Sequence, residues 1–345
     1  KYLIKRGDKL NSEAEVMDFE ADAGTSYLYK NKYPLSLGYM VNERILDLET
    51  SGGANPFEYQ NDLIKLATDT DDPIFTAQAV TLVKYNNIEV TKNGYGNYTF
   101  RVPDTENKKS SALYSFAGAE NSILYGYANS PGGACDSLTI SCGEDASSEP
   151  YKIVDSGSLI ESYPIVFPMG NSGPGTTSKV EIFPKDGRTS GNYKLMVYAL
   201  KKDNFKKAYD LLADEQLKVT KFEDTRIEGH IEAKEDGILF LSIPYEKGWK
   251  VYVDGEKAET MAVCGAMTGV RVKAGSHSIR LKYTPEGFPE GAAATAVSAV
   301  LTGLIIWYER KKKKLAAIEE APSPEYSEEP PKEPEAEPVQ HAAAV

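Results

Sequence analysis

The sequence predicts a mainly β protein with a few helices (α+β): antiparallel β-sandwich domains followed by one C-terminal transmembrane helix. Three observations predict it. Short segments of alternating apolar and polar residues recur from about Tyr98 to Tyr283, with turn clusters between them. Two stretches, beginning near Asn55 and Asp203, carry a helical period instead. Near the C-terminus, Gly291 to Tyr308 reads "GAAATAVSAVLTGLIIWY", 18 uncharged residues that can span a bilayer with help from their flanks.

Taken in order, residues 1–97 form a mixed α/β, membrane-proximal segment. In "NPFEYQNDLIKLA", Asn55 can cap, Pro56 sits at the first helical position and Glu58 can reach back as in a capping box. Phe57, Ile64 and Ala67 fall near one face of that helix, which Tyr59, Leu63 and Leu66 extend. Residues 98–202 form a β-sandwich with strands in "YTFRVP", "SILYGYAN", "SLTISCG", "KVEIFP" and "YKLMVYAL", separated by "NSPGGA" and "GNSGPGTTS". Residues 203–216 are a connecting helix in which Phe205, Tyr209 and Leu212 share a face and Asp203 can cap. Residues 217–286 form a small second β-sandwich, 288–309 the transmembrane helix, and 310–345 a basic anchor with a Pro- and Glu-rich tail. That tail has almost nothing to bury and is expected to be disordered.

The most distinctive stretch is "PYEKGWKVYVDG", Pro244 to Gly255. Trp249, Val251 and Val253 alternate to one face, and Lys250 and Tyr252 to the other. Asp254-Gly255 is a two-residue hairpin signal, because a type I′ turn needs positive φ at both central positions. Geometry therefore accounts for Asp254, and spacing supplies no second carboxylate for acid–base work. Trp249 is expected to cap the sandwich core. A sugar-stacking platform at Tyr245 and Trp249 is the candidate substrate-binding site that the aromatic residues allow.

Composition narrows the function. A formal net charge of -12 argues against nucleic acid, which needs a basic face. The glycines sit in turns, outside any phosphate-cradling fingerprint. Of three histidines, His230 stands alone, His341 is in the tail, and His277 begins "HSIRLKYT", where a half-buried, hydrogen-bonded role fits best. No metal-ligand spacing, cofactor motif or catalytic residue is assigned. Cys135 and Cys142 lie seven residues apart in a strand-like run, about 23 Å and beyond disulfide reach, and Cys264 is isolated, so three unpaired cysteines are expected. "ERKKKK" follows the apolar helix, which by the positive-inside rule makes the tail cytoplasmic and everything before Phe288 extracytoplasmic. Exporting that much protein needs an upstream signal, so the chain is expected to be the C-terminal piece of a larger protein.

Several separated motifs, in order, resemble one family. "YKNKYPLSLGYMV" with "NPFEYQNDLIKLATD", "YALKKDNFKKAYDLL" with "FEDTRIEGHI", and "SIPYEKGWKVYVDGEKAE" with "AGSHSIRLKYTPEGF" and a terminal hydrophobic helix are similar to the C-terminal region of the bacterial YfhO family. The resemblance runs from Lys1 to about Tyr308. It implies a multipass membrane protein with a GT-C-type glycosyltransferase core that glycosylates a cell-wall polymer such as teichoic acid from a polyprenyl-phosphate sugar. It also implies catalytic acids on an early loop that lies before Lys1, so no catalytic residue is carried onto this chain.

The leading reading is thus a non-catalytic extracytoplasmic region of a membrane glycosyltransferase. Its expected partners are the lipid bilayer, the N-terminal membrane bundle of the same protein and a cell-wall glycopolymer. Small residues four apart in the last helix, such as Ala292 with Ala296 and Ala299 with Gly303, suit docking in such a bundle. The alternative is a single-pass surface protein with a carbohydrate-binding or adhesive ectodomain. A free-standing extracellular hydrolase would need a paired-carboxylate cleft.

Overall fold

The computed structural model describes residues 1–6, 16–49, 55–106, 109–141, 151–153 and 164–319. Antiparallel sheets dominate them, with three α-helices. Cys142 and most of the acidic tail lie outside the described residues.

The larger sandwich has one sheet in the order Ile165–Ser172, Ser122–Asn129, Ser190–Lys201, Asn97–Arg101, Glu89–Lys92, with Phe75–Ala77 paired to the far end of the long strand. The facing sheet runs Tyr151–Ile153, Cys135–Ser141, Thr177–Pro184, Ser111–Ala117, Val80–Asn86. Alternate residues of both sheets meet in the core, among them Phe100, Tyr114, Phe116, Leu124, Leu138, Ile140 and Met169. Much of the tyrosine content goes here. The Tyr98 and Tyr193 rings stack at 5.2 Å, and the buried hydroxyls of Tyr114 and Tyr193 hydrogen-bond each other. Burial pushes both of those hydroxyls well above the ordinary tyrosine pKa.

The smaller sandwich has one sheet in the order Lys218–Glu223, Arg226–Ala233, Gly275–Tyr283, Trp249–Val253, Glu256–Lys257. The other runs Thr260–Val263, Met267–Val272, Gly237–Pro244, Gly38–Val41. Ile227, Ile231, Leu239, Leu241, Val251, Ile279 and Leu281 fill the space between them. Period two is visible in the Arg226–Ala233 strand, where Ile227, Gly229, Ile231 and Ala233 are buried while Arg226, His230 and Glu232 are exposed.

Residues 1–97 distribute their elements widely. Gly38–Val41 completes the small sandwich by pairing with Gly237–Pro244, some two hundred residues away. The strands at Phe75–Ala77, Val80–Asn86 and Glu89–Lys92 join the large one. Tyr2–Arg6, Met17–Ala23 and Ser26–Asn31 make a separate three-stranded sheet.

Two helices serve both sandwiches. α1 spans Pro56–Thr68 and α2 spans Lys202–Asp214. Phe57 of α1 and Ala208 of α2 pack with Ile123, Tyr198 and Leu200 on the outer face of the large sandwich. Ala67 of α1 and Leu212 of α2 pack with Val41, Ile238 and Val263 on the outer face of the small one. Phe57 is 1% exposed and its ring stacks on Tyr198 at 4.6 Å. Burying such a side chain stabilises the fold by about 2–3 kcal/mol.

The cap residues partly differ from expectation. Asn55 Oδ1 accepts from the Phe57 amide at 3.0 Å, as the sequence predicts. Glu58, however, does not close a capping box. Its carboxylate accepts from the Tyr198 hydroxyl at 2.9 Å, because the long sheet strand brings that phenol over the first helical turn. Asp203 does not cap α2 either. Strand and helix abut at Lys201–Lys202, which moves the helix start upstream of Asp203 and leaves Lys201 at the cap without a side-chain bond.

The helix α3, Phe288–Glu319, belongs to a separate compact unit. Its Phe288–Leu315 portion is long and apolar enough to cross a membrane, with a mean hydropathy of 1.6 over its most apolar 18 residues, which are unburied. The hydroxyls of Thr295, Ser298 and Thr302 bond carbonyls one turn back at 2.8–2.9 Å, so none of these three donors is left bare. The Lys311 ammonium lies 5.3 Å over the Trp307 ring. The helix continues past residue 309 through the basic run.

Candidate functional site

The Pro244–Gly255 stretch closes one end of the small sandwich. The Gly237–Pro244 strand stops where the Pro244 carbonyl accepts from Thr268 Oγ1 at 3.1 Å and the Tyr245 amide donates to the Ala266 carbonyl at 2.7 Å. The chain then turns, with the Trp249 amide on the Glu246 carbonyl at 3.1 Å. Gly248 is required by close approach. A Cβ there would lie 2.6 Å from Tyr283 Cε2 and 3.0 Å from the Thr284 carbonyl oxygen.

Trp249 pairs across strands with Tyr283, the rings 5.0 Å apart and tilted by 51°. Its indole is half-buried against the small core, beside fully buried Val251. The Tyr283 hydroxyl donates to Glu246 Oε2 at 3.3 Å. Tyr245 is 46% exposed and is not in ring contact with Trp249. The structure therefore places the two candidate residues at one end of one sandwich, but it commits the Trp249 ring to Tyr283 and the core. Tyr245 alone keeps an open aromatic face.

At the other end of the same strand, Asp254 and Gly255 have φ of 52° and 87°, the positive pair that a two-residue hairpin demands. Asp254 does more than turn the chain. Its Oδ1 accepts from the Ser278 amide at 2.8 Å and its Oδ2 lies 2.7 Å from His277 Nδ1. The His277 ring and the Ser278 amide hold the Asp254 carboxyl below the usual aspartate range. His277 Nε2 in turn lies 3.0 Å from the Lys273 carbonyl oxygen. With one nitrogen on a carboxylate and the other on a carbonyl, this imidazole has no nitrogen left to take a proton from a nucleophile. The sequence suggests the half-buried, hydrogen-bonded histidine; its partner Asp254, 23 residues away, appears only with the strand pairing.

Cys264 occupies the turn before Met267–Val272 with φ of 52°. Burial raises its thiol pKa, which leaves it a poor nucleophile. Tyr39 is pushed up to about 12, first by burial. Among the described residues, no three His, Cys, Asp or Glu side chains gather as a metal site would require. The arrangement thus offers packing, a hydrogen-bonded Asp254–His277 pair and exposed polar faces.

Comparison with known proteins supplies the context. Residues 1–295 match the family model of the bacterial membrane protein YfhO. The uncharacterised protein YfhO of Bacillus subtilis (strain 168) is 29% identical over 138 residues, a stretch covering 38% of this chain and 16% of that protein. A cycloisomaltooligosaccharide glucanotransferase from Paenibacillus is similar with a TM-score of 0.22 and 9% identity, over 59% of this chain and 45% of that one. A mycobacterial arabinofuranosyltransferase, AftD, is similar with a TM-score of 0.19 and 14% identity, over 55% of this chain and 14% of that one. The family match, which takes in both sandwiches, the helices between them and the start of the apolar helix, makes this chain a member of the YfhO family of bacterial membrane proteins.

Proposed function

We propose that this chain is the non-catalytic, extracytoplasmic C-terminal region of a multipass membrane glycosyltransferase of the GT-C type. The parent protein transfers sugar from a polyprenyl-phosphate donor to a cell-wall polymer such as teichoic acid. The observation that carries this reading is the family match over residues 1–295. It is supported by an apolar helix directly after the small sandwich and by the 16% of the Bacillus subtilis relative that the matched stretch covers. On this reading α3 crosses the membrane with its basic end in the cytoplasm and docks against the N-terminal bundle. The sandwiches stand above the catalytic bundle and help position the acceptor polymer, with Tyr245 as the candidate sugar-stacking residue.

Two measurements test it. An antibody against residues 1–285 should detect a native membrane protein far above 37.8 kDa, and deleting its gene should remove a sugar from the purified cell-wall polymer. A native band near this mass would turn the reading toward a single-pass glycan-binding surface protein. An unchanged polymer glycan would refute the transferase.

A further inference from the structure

The outer face of the Arg226–Ala233, Gly275–Tyr283 and Trp249–Val253 strands carries a charge pattern that folding alone does not explain. Lys282 lies directly opposite Arg226 on one side and Lys250 on the other. Like charges in direct cross-strand register destabilise a sheet. The row is nevertheless on the solvent face, since the neighbouring Ile227, Val251 and Leu281 are all buried. Two residues along, Arg280 stands opposite Glu228 and Tyr252, and Tyr252 opposite Lys257.

The acids do not cancel this patch. Glu228 is shared, 2.5 Å from Arg226 and 3.3 Å from Arg280. Glu223, across from Arg226, pairs with Lys221 at 3.0 Å. Among the described residues, Lys250, Lys257 and Lys282 have no ion-pair partner. Five cations and one shared carboxylate thus occupy these two rows, beside the self-paired Lys221 and Glu223, on a chain whose formal net charge is -12.

We propose that this sheet face binds a linear polymer bearing phosphodiester anions. The inference rests on the function proposed above and names the surface that would hold the acceptor. Neighbouring strands lie about 4.8 Å apart, so the Arg226–Lys282–Lys250 row is a line of about 10 Å, with a second cationic row about 7 Å along the strands. A line of charges matches a chain of charges. Lysine ammoniums are flexible point charges that suit phosphate oxygens. A bilayer surface fits less well: on this face Tyr252 is half-buried, and the exposed Phe222 of the edge strand stands opposite buried Ile227 and so belongs to the other side of the sheet.

The test uses the full chain in detergent and fluorescently labelled synthetic poly(glycerol phosphate), with affinity read by anisotropy at 50 and 200 mM salt, and co-flotation of the reconstituted chain with the polymer or with phosphatidylglycerol vesicles alone read alongside. Lys250→Gln with Lys282→Gln should weaken binding at low salt by about 25-fold, roughly fivefold for each cation. It should also make the dependence of log affinity on log salt shallower by about 1.5. The same variant should unfold at an equal or higher urea concentration, because it removes a like-charge pair. Lys206→Gln with Lys207→Gln on α2 should change affinity less than twofold. Unchanged affinity in the first variant, an equal loss in the second, or binding confined to phosphatidylglycerol vesicles would each overturn the proposal. The glycan assay is independent of these outcomes. Loss of the transferase reading there leaves the anisotropy result to stand or fall alone.

Discussion

If Trp249 is a packing residue, truncating it must unfold the small sandwich more readily. Trp249→Ala removes an indole that is half-buried against the core and 5.0 Å from the Tyr283 ring. A fully buried Trp→Ala change costs about 3–5 kcal/mol, and half burial scales that to about 2. Losing the aromatic pair adds about 1 kcal/mol, for a total near 3. Tyr245→Ala removes an exposed ring without a ring partner and should stay within about 0.5 kcal/mol of wild type. Urea titrations of the full chain in detergent, followed by far-ultraviolet circular dichroism, read both values. A double-mutant cycle with Tyr283→Leu should return a coupling of about 1 kcal/mol. Equal, small effects at Trp249 and Tyr245 would refute the packing role and free the indole for ligand stacking.

Three further predictions follow from named contacts. Gly248→Ala should destabilise by about 1–3 kcal/mol in the same titration, since the new methyl must displace the Tyr283 ring or the Thr284 carbonyl; a neutral result would mean that this end of the sandwich is loosely packed. Phe57→Ala should cost about 3–5 kcal/mol, because that ring fills the space between α1 and the large sandwich; a loss under 1 kcal/mol would show that α1 is not held by that core. The Asp254 carboxyl has a folded-state pKa below its unfolded value of about 4, so its contribution is complete above that value and disappears as pH falls through the folded one. The gap in urea midpoint between wild type and Asp254→Asn should therefore close below about pH 4, and a gap that widens on acidification would contradict the hydrogen bonds that hold this carboxylate ionised.

Local features were legible where neighbours in sequence decide them. The Asn55-Pro56 helix start, the Asp254-Gly255 turn and the alternation in the Arg226–Ala233 strand each depend on backbone conformation or side-chain period within a few residues. The candidate platform was only half legible. Aromatic identity marks Tyr245 and Trp249, but which ring is spent on the core depends on Tyr283, a strand partner 34 residues further on. The cationic row had a weak signal in advance, since "RIEGHIEA", "WKVYV" and "HSIRLKY" each carry a cation at an outward position. Alternation shows that such residues face solvent, without showing that they stand side by side.

By itself, then, the sequence determined the mainly β class, the two helices, the apolar C-terminal helix and the family motifs, because period, turn chemistry and hydrophobic length are short-range properties. Tertiary structure alone decided that Gly38–Val41 completes the small sandwich, that α1 and α2 pack against both sandwiches, that Glu58 serves Tyr198 and Asp254 serves His277, and that Arg226, Lys282 and Lys250 form one row. Each of these is a matter of strand register or helix packing between distant segments. Register is set by the whole buried face at once, which no single window of the chain contains.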